Sequence, residues 1–331
     1  MTALSTAAVN APNPGGYRLE PEFYAPSHVP IEVRRHAGQP PSLPVGSPGK
    51  VGVLQLGFAQ NRGRTELVQH YQKSPLQIMH PLYFNPLRSD MAYTYLMSPG
   101  GGVLQGDRLR TDLDFGPGTS AHVTSQAHTR VYRMEHGYAT AVMNIRAEAD
   151  AYVEYLPEPV VPFAQSRFYQ QTSVVLAQSA SLLLGETVYA GRLARGERHQ
   201  YEVYASDLEV RRPDGTLVAL DRVRLCPGET APGTGGVAGL GVLADHDVLA
   251  MLYVLTPLVP VAELADALHQ TLAGAFDGDV IFGVSALPGD AGVWMRLVGN
   301  DTVAVARANT AAASVVHELL TGKAAPVIRK S

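Results

Sequence analysis

Gly118-Thr119-Ser120-Ala121-His122-Val123, Glu148-Ala149-Asp150-Ala151-Tyr152-Val153 and Gln178-Ser179-Ala180-Ser181-Leu182-Leu183 repeat one pattern at a constant register of about 30 residues. Each is a small polar turn opening a strand. Upstream of it, Leu113 and Phe115 match Met143 and Ile145, with Ser173 and Val175 in the third copy. Units that read strand, turn, strand cannot bury a face alone. Stacked on their neighbours they make an elongated, solenoid-like or layered sheet body. The competing reading is coincidental likeness among strands of an ordinary sandwich.

Strand signals extend outward from this repeat. Val51–Phe58, Thr65–His70 and Ala92–Met97 read as strands before it. Pro213-Asp214-Gly215 has the chemistry of a hairpin turn between 208–212 and 216–225. Then the pattern changes. Val248–Leu255 reads as a buried strand, Val261, Leu264, Leu268 and Leu272 as one helix face, and 280–286 and 293–298 as strands. Thr302–Thr321 reads as a helix ended by Gly322. The fold class expected is mainly β: stacked or layered β-sheets with solenoid-like repeats and a small C-terminal α+β section. The expected organisation is a Pro-rich extension (1–46), irregular or laid over a partner, and a stacked β body (47–227). A Gly-rich loop follows (228–241), a hinge candidate, and then the α+β section packed on the body (242–328).

Composition supports strands and turns over a helical bundle. The 331 residues are 46% hydrophobic, and Gly (32) and Pro (24) together make roughly a sixth of them. A net charge of −4 leaves no basic surplus to neutralise phosphates, so no nucleic-acid partner is expected. One cysteine, Cys226, excludes an intrachain disulfide and a Cys-based metal centre. The longest apolar stretch, 248–261, contains Pro257 and Pro260 and is short for a membrane span. The N-terminus shows no basic residue before Arg18 and no apolar signal core, so a cytoplasmic location is expected. Charged residues are only 17%, which suggests a surface normally covered by a partner.

Enzyme signatures are incomplete. Gly101–Gly106 has P-loop spacing, but Asp107 and Arg108 follow where Lys and Ser or Thr are needed. Gly239-Leu240-Gly241-Val242-Leu243-Ala244 is a loose dinucleotide fingerprint with no strand before it. Gly283-Val284-Ser285-Ala286 continues into Leu287 and makes no nucleophile elbow. His122 and His128 stand six apart on one strand face, roughly 20 Å from each other, too far to share a metal on a straight strand. Asp245-His246-Asp247 reads as a loop cap.

Three further blocks are specific in combination: Gly101-Gly102-Val103-Leu104-Gln105-Gly106-Asp107, Gln126-Ala127-His128-Thr129-Arg130-Val131-Tyr132-Arg133 and Tyr155-Leu156-Pro157, followed by Leu184-Gly185-Glu186, Gly191-Arg192 and Arg195-Gly196-Glu197. From about Val51 to Ile328 this series resembles the urease accessory protein UreD family, also called UreH. The resemblance implies a largely β fold and a protein that is not an enzyme. It implies partners UreF, UreG and the urease apoprotein, and nickel passed through an internal, water-filled tunnel. It implies no tightly bound cofactor, only transient Ni2+. The acidic residues of that path fall, by motif, on Asp107, Glu186 and Asp221. Arg108 stands where the family often has an acid.

The residue types suit a conduit. A site that must release a cation as tightly held as nickel should be incomplete, and scattered carboxylates with water meet that need. The structural reading of the same residues has them capping turns or paired with Arg192, Arg195 or Arg222. The alternative function, from another class, is a hydrolase or isomerase of stacked-β architecture whose site lies on the sheet face.

Overall fold

The computed structural model describes residues 18, 20–38, 50–229, 236–276, 278 and 280–328. In chain order its elements are α1 (Ile31–Arg34), β1 (Val51–Asn61), β2 (Arg64–Lys73), β3 (Ala92–Leu96), β4 (Arg108–Phe115), β5 (Ser120–Ser125), β6 (Thr129–Val131), β7 (Ala139–Ala147), β8 (Tyr152–Tyr155), β9 (Val160–Pro162), β10 (Arg167–Leu176), β11 (Ser181–Tyr189), β12 (Val203–Arg211), β13 (Leu217–Leu225), β14 (Val248–Leu255), α2 (Val261–Ala275), β15 (Ile281–Ala286), β16 (Val293–Gly299) and α3 (Thr302–Thr321).

The strands form a β-solenoid of stacked coils. One sheet runs β13-β12-β10-β7-β4-β1-β2, and the other runs β15-β16-β14-β11-β8-β5-β3 with β6 and β9 beside it. From β1 to β12 in the first sheet, and from β3 to β11 in the second, neighbours are parallel. The chain turns a corner from one sheet to the other after Phe115, after Ala147 and after Leu176, and each corner is four residues long. The same turn recurs in all three: Thr119 N–H donates to Gly116, Ala151 to Glu148 and Ala180 to Ala177. Gly118, at φ +65°, supplies the left-handed residue of the first corner, and Asp150 adopts that conformation in the second.

The repeat is therefore real, but its period is not constant. Ala121 faces Val153, 32 residues on, and Val153 faces Leu182, 29 residues on. Because the corners are equal in length, the difference arises on the far side, between β5 and β7 and between β8 and β10. The even error in the first step leaves every side chain on its face. The odd error in the second flips them. Met143 and Ile145 are matched by Thr172 and Val174, not by Ser173 and Val175, and Val174 and Leu176 are the buried pair.

Between the sheets, alternate residues meet in one core, with Phe58 stacked on Phe115 and with Leu113, Ile145 and Leu176 buried around them. The outer face of the second sheet carries a separate core against the two long helices. Leu264, Leu268 and Leu272 of α2 and Val305, Ala308, Ala312 and Val316 of α3 pack on Ala250, Leu252, Val254, Met295 and Leu297. Strand β14 is covered on both faces, which is why it reads as an unbroken apolar run. Asp301 caps α3 by accepting from the N–H groups of Val303 and Ala304, and Gly322, at φ +65°, ends it. Since β14 pairs with β11, the C-terminal strands continue the body's own sheet.

A polar cluster interrupts that apolar outer face. Tyr93, His122 and Glu154 face each other across β3, β5 and β8. Glu154 is buried and accepts from His122 Nδ1 at 2.6 Å, from the Tyr152 hydroxyl at 2.6 Å and from His317 Nδ1 of α3 at 2.5 Å. Burial alone would raise its pKa. The hydrogen bonds and charge of the two imidazoles outweigh that and hold the carboxyl far below the usual carboxylate range.

Where it is described, the N-terminal segment is mostly irregular, with one 3-10 turn (Pro21–Tyr24) and α1. Residues 20–38 lie along the chain's own first sheet. Val33 of α1 is fully buried against Tyr169, Val203 and Ala205, His28 Nε2 meets Asp207 at 2.8 Å, and Arg110 donates to the Phe23 carbonyl. The outward apolar residues of β10 and β12 supply the anchor that composition could not show. Pro12, Pro14, Pro40, Pro41 and Pro44 lie outside the described residues, as does 230–235 of the Gly-rich loop. The described end of that loop is packed: Val237 is buried in the solenoid core, as is Leu243 just beyond it.

Candidate functional site

The solenoid core is not filled along its whole length. Near the corners the inward side chains are large: Leu113 and Phe115, Ile145, Val174 and Leu176. Farther along the same strands they become small or polar. Thr111 of β4 faces Met143, which faces Thr172, and Ala141 faces Gln170. Opposite them stand Tyr155, Gly185, Glu186 and Thr187. The gap between the sheets is a cavity of about 310 Å3.

Its mouth is built by the glycine-rich block and the strand beside it. Ser98–Gly102 lies against Gln126–Arg130, with Val103 N–H donating to the Arg130 carbonyl. A Cβ on Gly102 would sit 2.6 Å from that carbonyl oxygen, so only glycine allows the approach. His128 and Glu158 stand at the same mouth, 3.2 Å apart. The chain bends after Ser125, where β5 ends, so the straight-strand separation of His122 and His128 does not apply. His122 faces the helices and His128 faces the cavity.

Glu186 stands inside. Its carboxylate accepts from the Tyr204 hydroxyl at 2.7 Å and the Ser206 hydroxyl at 2.8 Å, and Gln170 Nε2 donates to Ser206. The small exposure it keeps is to the cavity. Burial raises its pKa, against the lowering effect of those hydrogen bonds. Farther along the interior, Asp221 of β13 takes the Arg296 guanidinium at 2.7 and 3.0 Å and the Tyr253 hydroxyl. The guanidinium bound to Asp221 is thus Arg296 of β16, not a neighbour in sequence. Arg192 is engaged by Glu197.

Asp107 is placed differently. It is 1% exposed, and its two oxygens accept from the N–H groups of Lys50 (2.8 Å) and Leu104 (2.9 Å). It ties the glycine-rich loop to the start of β1 and does not line the cavity. Asn at this position can accept one of those bonds but turns an amide N–H2 toward the other donor. Asp107→Asn should therefore cost about 1–3 kcal/mol of stability. Urea unfolding reads this. An unchanged midpoint would mean that these two hydrogen bonds do not hold the loop.

Among the three acidic positions, the fold brings Glu186 and Asp221 into one interior and leaves Asp107 at a loop pin. Gln170, Tyr204, Ser206, Tyr253 and Arg296 complete the interior, and sequence reading missed them. The available signal was the appearance of Gln170, Thr172 and Ser206 at inward positions of otherwise apolar strands. Among the described residues no three His, Cys, Asp or Glu side chains converge as a metal-binding set. Nor is any described helix long and apolar enough to cross a membrane.

Comparison with known proteins finds relatives over most of the chain. Residues 50–331 match the family described as UreD urease accessory protein. A Streptomyces griseus protein named urease accessory protein UreD 2 is 50% identical over 294 residues, covering 89% of this chain and 98% of its own. A Haloarcula marismortui protein named urease accessory protein UreD is 39% identical over 260 residues, 78% of this chain and 84% of its own. A Brucella ovis protein named urease accessory protein UreD 2 is 33% identical, covering 89% of this chain and 96% of its own.

Proposed function

Because this chain belongs to the UreD urease accessory protein family, we propose that it is a non-catalytic maturation factor that passes nickel to the urease apoprotein through its own interior. The observation that carries this reading is the cavity between the two sheets, open at the glycine-rich loop and lined inside by Glu186. Nickel is the cargo. Along the cavity it meets isolated oxygen donors, Glu186 with Thr111 and Thr172, and water completes its coordination. Such partial ligation holds a divalent ion briefly. A closed set of His and Cys donors would retain it.

The setting of Glu186 suits a passing ion: burial makes its carboxylate costly and raises its pKa, so a cation beside it is favoured.

As a scaffold, the chain would sit between apo-urease and the UreF and UreG proteins. Exposed apolar residues support a covered surface. Met79, Leu82, Phe84 and Leu87 are 74%, 39%, 42% and 54% exposed within one crossing between β2 and β3. A contiguous apolar segment of this kind favours a partner over water.

The test is expression of the urease subunits with UreF and UreG, in the presence and absence of this chain. Urease purified without it should carry little nickel and little activity, and pull-down of the full chain should bring UreF with it. Equal nickel content in both preparations would end the maturation reading.

A further inference from the structure

Resting on the conduit reading, we infer that His128 and Glu158 form a two-donor capture site at the cavity mouth, selecting nickel-like transition cations over Mg2+ and Ca2+. His128 Nε2 and Glu158 Oε2 are 3.2 Å apart, with side-chain exposures of 42% and 25%. Two ligands bonded to one ion at about 2.1 Å and at right angles lie about 3 Å apart, so this separation already suits adjacent positions on one metal.

The pair is held in place rather than left to solvent. The Glu158 N–H donates to Ser125 Oγ at 2.8 Å, and the Thr129 N–H donates to the Pro159 carbonyl at 3.0 Å, so the two backbones are tied on either side of the pair. The Tyr189 ring packs edge-on against the imidazole, with centroids 5.6 Å apart. Both side chains line the cavity that leads to Glu186.

The donor set decides the ion. An imidazole nitrogen suits nickel, zinc and copper, whereas magnesium and calcium prefer oxygen throughout. Glu186, whose neighbours Tyr204, Ser206 and Gln170 offer no imidazole, cannot make that distinction, so selection falls to the mouth. Capture is a ligand exchange. With the ring proton on Nδ1, Nε2 and one Glu158 oxygen replace two of the ion's waters, and those waters leave to solvent. Two protein ligands are too few to hold the ion, which proceeds inward.

The experiment is a Ni2+ titration of the full chain in millimolar Mg2+, followed by paramagnetic broadening of histidine ring signals, with His128→Gln and Glu158→Gln as variants. The His128 ring should broaden first. Glu158→Gln should weaken that event about tenfold or more, His128→Gln should remove it altogether, and in both variants the remaining binding, read on the other histidine rings, should become sensitive to Mg2+. In cells co-expressing urease, His128→Gln should raise the nickel supply needed for loading by a similar factor, and added nickel should overcome the defect. An unchanged titration and an unchanged nickel requirement would overturn the proposal. Glu186→Gln separates the two readings. If it leaves loading intact, the conduit fails, while broadening at His128 would still establish a nickel site at the mouth.

Discussion

Glu154→Gln is expected to cost the fold about 3–5 kcal/mol, because it removes the only charge that satisfies three buried donors from three elements. His122, Tyr152 and His317 all point at this carboxylate. A glutamine amide cannot accept from all three, and its N–H2 must face one of them. The loss should concentrate at α3, since His317 is that helix's polar tie to the sheet. Urea unfolding gives the magnitude, and hydrogen exchange should show α3 opening before the solenoid strands. The pH dependence checks the cause. Glu154 is held below its unfolded value, so its contribution is fully present above about pH 4.3 and declines as pH falls toward the folded value. The gap between wild type and variant should therefore narrow in acid, as Glu154 takes up its proton. A gap that ignores pH throughout the acid range would mean that shape, not charge, holds the helix.

The second large effect is functional. Glu186→Gln should lower nickel loading of co-expressed urease by about tenfold or more without weakening the fold. A unit charge about 4 Å from another, at an effective dielectric near 20, is worth about 4 kcal/mol, and the cargo is divalent. Even a small surviving fraction is a tenfold change. Stability should move the other way. A carboxyl whose folded pKa is raised costs stability once it ionises, and Gln removes that cost while keeping one oxygen for Tyr204 and turning its N–H2 toward the Ser206 hydroxyl, which can accept as well as donate. Loss of loading with an equal or higher unfolding midpoint is the expected pair of results. A destabilised variant would place Glu186 among the structural carboxylates.

What the sequence made legible follows from which features are local. The corner turns are local, and so the stacked units could be read from Gly118, Asp150 and their neighbours. The α3 boundaries were legible in the same way, because Asp301 and Gly322 act within one turn of the helix ends. The strand register was not, because the loops opposite the corners differ in length and shift the third copy by one residue. The partner of Asp221 was hidden for a different reason. Arg296 lies 75 residues away and reaches it only because β13 and β16 belong to sheets that face each other. Glu186 was placed by a motif, yet its setting, Tyr204 and Ser206 across the core, depends on the stack being formed. The irregular course of residues 20–38 was legible in their prolines, but its seat was not, because proline content reports a lack of periodicity and says nothing of the sheet beneath.

Each end of the parallel stack is closed by reversed chain. β2 runs antiparallel to β1, β13 to β12 and β14 to β11, and the outer edge of β3 is met by antiparallel bridges from Gln77 and Leu82. A parallel coil exposes at its rim the template for the next coil, and a second molecule could supply it. Among the described residues the rims are formed by reversed strands or, at β3, met by antiparallel bridges, so the repeat that the coil propagates is interrupted at each end. The fold sets its own length, and with it the extent of the space between its two sheets.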